Sequence, residues 1–198
     1  MMVLIVGLIL FLGVHLVPTQ PELRDGLKER IGEGPYKILF SLLSLAGLVV
    51  IVLGFHKLQI HPGKNPILWE PPVWTRHIAV GLMLPAMILI VASLIPSRIR
   101  TATRHPMLIA IKIWALAHLL ANGDLGALLL FGSFLAFAVY DRISVKKRGA
   151  AGPLGAAAPA NALNDVLVIV VGLALYAWIL LVGHQWLIGV SPMPGLAG

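Results

Sequence analysis

The chain has no cysteine. That excludes disulfides, iron–sulfur clusters, thiolate-ligated haem and covalent c-type haem attachment. Charge is scarce as well. Only 12% of the 198 residues are charged and 8 are acidic, whereas a soluble domain carries ~25% charged residues. Half of the carboxylates fall in one segment, Glu22 to Glu33, and the others are scattered, so no paired-carboxylate site can be drawn. There is no Ser/His/Asp pattern, no HExxH and no glycine-rich phosphate loop. No nucleic-acid module is recognisable, so the net charge of +7 needs another explanation.

What is abundant is apolar surface. Hydrophobic residues make up 59% of the chain, against ~45–50% in a soluble domain. One soluble core cannot bury so much, and the lipid bilayer is the alternative solvent. Only helices and closed barrels satisfy their backbone in hydrocarbon. A barrel strand alternates in polarity, whereas Ser41 to Phe55 is apolar on both faces. The expected fold class is all-α: a polytopic integral membrane helix bundle with about six transmembrane helices.

Runs of ~17–25 apolar residues mark spans. They are placed at 1–17, 36–55, 76–95, 106–121, 125–140 and 166–186 of a single membrane domain, with a flexible Gly/Ala/Pro linker at 149–160. The fourth and fifth form a short hairpin around the Asn122-Gly123-Asp124 turn. Between the first two spans, Gln20 to Gly34 reads as an interfacial helix. Its charges of opposite sign lie three or four apart, and Leu23, Leu27 and Ile31 form one apolar stripe. His56 to Trp74 reads as a structured loop and Ser97 to His105 as a short basic loop. Arg142 to Arg148 is a basic segment, and Asn164 and Asp165 are candidate caps for the last span. Ala46, Gly47 and Gly54 mark a tight helix contact whose partner the sequence leaves open.

Basic residues set the orientation. The first, third and fifth loops hold ten of them, including Arg24, Arg98, Arg104 and Arg142; the second and fourth hold three, Lys57, Lys64 and Arg76. The positive-inside rule places the odd loops in the cytoplasm and both termini outside.

The histidines carry the functional signal, because ionisable groups inside membrane spans are costly. Ile111, Trp114, His118 and Asn122 share one helical face, which offers an imidazole, an aromatic wall and an amide. A neutral imidazole there can ligate haem iron, copper or zinc; equally, it can hydrogen-bond a neighbouring helix and fix packing. His15 ends the first span, where headgroup water is the competing explanation. Arg104-His105-Pro106 opens a helix whose N-terminus attracts anions such as propionates, a cofactor carboxylate or lipid phosphate. An ordinary positive-inside loop would look the same.

Four larger blocks stand out: Gly13-Val14-His15-Leu16-Val17-Pro18, Gly34-Pro35-Tyr36-Lys37 with Leu39 to Gly47, Arg104-His105-Pro106, and Trp114 to Asp124. Together they resemble the NnrU family of bacterial membrane proteins. The resemblance covers nearly the whole chain. It implies a bacterial inner membrane location and a link to denitrification and nitric oxide metabolism, with respiratory or denitrification proteins as partners. The family is also similar to plant zeta-carotene isomerase, a membrane haem b enzyme acting on a polyene. That likeness implies haem b as cofactor, His15 and His118 as axial ligands to the metal, and Arg104 with His105 near the propionates. It also implies nitric oxide or an isoprenoid or polyene as the ligand, with redox or redox-gated isomerase chemistry. The isomerase has a cysteine where this chain has Ala115, so thiol-dependent ligand exchange is not available here.

Two further readings belong to other classes. Arg104-His105-Pro106 is similar to a segment of membrane methyltransferases that use S-adenosylmethionine, but nothing acidic follows Asp165 to complete that cofactor site. A non-catalytic accessory factor for a respiratory complex would need no substrate cavity.

Overall fold

The structure is a computed structural model and describes residues 1–149 and 161–193. The linker expected at 149–160 lies outside the described residues, apart from Gly149. The chain is an all-α membrane helix bundle. Among the described residues, five helical segments are long and apolar enough to cross a bilayer: Met2–Thr19, Glu33–Gln59, Val73–Ala92, Leu125–Arg148 and Ala162–Ile188. The remaining expected span, Pro106–Ala121, is apolar but shorter. The chain divides into two compact units, Met1–Pro66 and Ile67–Gly198.

The first unit holds α1 (Met2–Leu16), α2 (Pro21–Ile31) and α3 (Glu33–Gln59). Helices α1 and α3 pack antiparallel through glycines. A methyl added at Gly54 would lie 2.6 Å from the backbone nitrogen of Leu4, one at Gly7 2.7 Å from that of Ile51, and one at Gly47 2.8 Å from that of Phe11. The helix partner of Gly47 and Gly54 is therefore α1. In lipid no hydrophobic force drives helices together, so close backbone approach supplies the dispersion contact. Helix α2 buries none of its residues, as an interfacial helix would. Helix α3 starts earlier and ends later than expected. Pro35 is harmless in its first turn, where the missing N–H costs nothing. No proline or glycine interrupts Phe55 to Gln59, so the first residues of the expected loop complete the helix.

The second unit holds α4 (Val73–Ala92), α5 (Arg98–Thr103), α6 (Pro106–Ala121), α7 (Leu125–Arg148), α8 (Ala162–Trp178) and α9 (His184–Ile188), with a π-helical turn, Ile179–Gly183, joining the last two. Helix α4 packs on α6 and α8, and α6 on α7. Val91, Ala92 and Val168 are buried together beside Ile88, Ile95, Ile99 and Leu175. Gly172 lets α8 approach the Ile88 backbone, whose Cα would be 2.8 Å from an added methyl.

Three expectations are corrected here. The stretch Ser97 to His105 contains the helix α5, because the Ser97 hydroxyl accepts from the Arg100 N–H and caps it. The basic segment Arg142 to Arg148 is the last two turns of α7, where cations suit the negative end of the helix dipole; Gly149, at φ 58°, ends it. The cap of α8 is Asn161, which accepts from the Asn164 N–H. Asn164 instead donates to the Pro96 carbonyl (2.6 Å) and Asp165 accepts from the Arg98 N–H (2.7 Å).

These last bonds define one end of the unit. The other end is marked by Leu68 and Trp69, whose N–H groups donate to the Gly123 carbonyl at 2.8 and 3.2 Å, beside an antiparallel bridge between Ile67 and Asp124. Helix α4 runs from this second end to the first, and α6 returns. Short as it is, α6 joins the same two ends as its neighbour.

Candidate functional site

Helix α6 is apolar throughout, and its last turns carry Trp114, His118 and Asn122 on one face. Asp124 ends the tight turn that follows and caps α7 by accepting from the Ala127 N–H at 2.8 Å. The cap starts α7 at a defined angle and brings Phe131 and Phe134 back against α6. Trp114 meets both edge-on, with ring centres 4.9 and 5.4 Å away. His118 stacks on Phe131 at 4.4 Å and lies 5.4 Å from Trp114. The imidazole thus sits in an aromatic corner that only the α6–α7 hairpin creates.

Hydrogen bonding sets its tautomer. His118 Nδ1 lies 2.8 Å from the Trp114 carbonyl oxygen. A carbonyl only accepts, so Nδ1 carries the proton and Nε2 keeps its lone pair. Nε2 has no hydrogen-bond partner among the described residues. Asn122 donates its amide to the His118 carbonyl at 2.8 Å, tying the end of the helix. Metal-ligating histidines likewise have their second nitrogen held by a backbone carbonyl or carboxylate.

A second imidazole stands close by. The ring of His184 is 6.3 Å from that of His118, with 11° between their planes. Its Nδ1 is 2.6 Å from the Val190 carbonyl oxygen, which fixes the same tautomer. His184, Phe131 and Phe134 were not among the expected site residues. His184 is visible in the sequence only as a histidine near the end of a span, and no helical repeat from α8 points it at α6.

The other expected residues lie elsewhere. Arg104 and His105 stand at the opposite end of α6, ~20 Å from His118 along the axis at ~1.5 Å per residue. Arg104 has a φ of 61°, unusual for a residue with a side chain. His105 is shifted below its usual range by burial and then by the nearby Arg142 charge. His15 belongs to the first unit. Its Nδ1 is 2.7 Å from the Phe11 carbonyl, and its ring lies 4.1 Å from Phe11 and 5.2 Å from Phe40. On the α3 face that carries Phe40, the hydroxyls of Tyr36 and Ser44 are buried without hydrogen-bond partners among the described residues.

Among the described residues, no three or more histidine, aspartate or glutamate side chains converge as a cage for a bare metal ion. The donor set around His118 is imidazole and aromatic carbon. Such a set suits a metal that brings most of its own ligands and asks the protein for only one or two, as haem iron does.

No match is found among curated proteins or among solved structures. The family model for NnrU protein matches residues 3–192, and the chain therefore belongs to the NnrU family.

Proposed function

We propose that this protein binds haem b in the membrane and serves nitric oxide or denitrification metabolism, with His118 as a residue that would hold the iron. The observation that carries the reading is the His118 imidazole itself. It sits in an apolar, aromatic corner, with Nδ1–H on a backbone carbonyl and the Nε2 lone pair uncommitted. A bound haem would supply one-electron redox chemistry and an iron to which nitric oxide can bind. The residues around it have simpler tasks. Trp114 orients the imidazole through its carbonyl, Phe131 and Phe134 exclude water, and Asn122 holds the last helical turn. The resemblance to zeta-carotene isomerase extends the proposal to a lipophilic polyene as substrate.

The test is an oxidised-minus-reduced absorption spectrum of detergent-purified protein made with ample haem. A Soret band with sharp reduced bands is expected, and His118→Ala should remove it. A featureless spectrum at full protein yield, or an unchanged one in His118→Ala, would sink the reading.

A further inference from the structure

The His118 corner holds a second imidazole, and a departure from regular helix geometry brings it there. The buried face of α8 is marked by Val168 and Gly172. On an unbroken α-helix, at about 100° per residue, His184 would stand about 160° round from Val168, nearly opposite that face. The π-helical turn Ile179–Gly183 accommodates one extra residue and takes back about 100°. His184 is thereby returned to within about 60° of the packed side. Such turns are rare, and they occur frequently at functional sites.

The turn has its own support. Gly183 is buried, and a methyl there would lie 2.7 Å from the Trp178 ring. Only glycine leaves room for the indole to lie across the turn. Beyond α9, Gly189 at φ 87° reverses the chain, and the Val190 carbonyl accepts from His184 Nδ1. His184 is therefore held from both sides in the sequence. Its Nε2, like that of His118, has no hydrogen-bond partner among the described residues.

We infer that His184 is the second protein ligand of the metal that His118 holds, taking the place that family resemblance implies for His15. Two imidazoles each bonded at ~2 Å to one metal have ring centres ~6 Å apart when they lie on opposite sides of it. The observed pair is 6.3 Å apart with nearly parallel planes. Both have their second nitrogen on a backbone carbonyl, the usual support for a ligating histidine. Both also belong to the same compact unit, Ile67–Gly198. This inference rests on the haem reading above and adds the identity of the second ligand.

The experiment compares haem-loaded wild type, His184→Ala, His184→Met and His15→Ala by absorption and electron paramagnetic resonance. Wild type should be six-coordinate and low-spin. His184→Ala should keep haem but turn high-spin, and added imidazole should restore the low-spin signal. His184→Met should show mixed histidine–methionine ligation. His15→Ala should leave the signal unchanged. A low-spin wild-type-like spectrum in His184→Ala, or conversion to high-spin in His15→Ala alone, would overturn the assignment. Absence of haem from the wild type would remove the haem reading and this inference together, a result distinct from either.

Discussion

A single imidazole behaves differently at the two ends of α6. At the far end His118 is walled by aromatic rings; at the near end His105 sits among cations and partly in water. Burial, and then Arg142, lower the affinity of His105 for a proton in the folded state. The unfolded chain then binds that proton more readily, so acid favours unfolding. Stability should be full above about pH 6.5, the unfolded value, and should fall as pH drops from there towards the lower folded value. His105→Gln removes this contribution. Melting in detergent at pH 7.5 and 5.5 should therefore show a smaller acid-induced drop in the variant. Equal drops in both proteins would show that His105 does not carry the effect. Of the expected site residues, Trp114, His118 and Asn122 were legible because α6 is regular and its face follows from counting. His184 was not, because the π turn breaks the count before it is reached.

At the scale of the element, the contact between α1 and α3 is the clearest case of residue size deciding packing. Gly54 meets the Leu4 backbone, where no rotamer change can make room. Gly54→Val should push the helices apart and cost about 2–3 kcal/mol, at the upper end of overpacking penalties. Gly34→Val, where an added methyl has nothing within 4 Å, is the control. Thermal or denaturing-detergent midpoints of the two variants should differ accordingly, and similar midpoints would count against close packing at Gly54. The small residues were visible in the sequence, but their partner was not. Helix boundaries behaved similarly: apolar runs located the spans, while caps such as Ser97 and Asn161 were found only with the hydrogen bonds they make.

At the scale of the whole molecule, the charge asymmetry and the fold of the second unit bear on one question, which helices cross. The Gly123 turn pairs with Leu68 and Trp69, while α5 pairs with the start of α8. If α6 crosses with its neighbours, the two ends of this unit lie on opposite sides of the membrane. An alkaline phosphatase reporter fused at Gly123 should then be active, and one fused at Arg104 inactive, as the positive-inside rule expects of the basic loops. Activity at both positions, or at neither, would mean that α6 does not cross. Its 16 residues reach ~24 Å at ~1.5 Å per residue, short of a ~30 Å hydrocarbon core. Local thinning or flanking polar residues would have to make up the difference.

Composition and periodicity by themselves determined the all-α class, the membrane environment, the order of the spans and the face on which His118 lies. These follow from local rules: how many apolar residues a bilayer requires, and how many residues make a helical turn. The tertiary structure decided which helices touch, where each is capped, and that His184 joins His118. Those outcomes depend on contacts between residues distant in the chain, and on a π turn whose rotation the regular helical count does not contain.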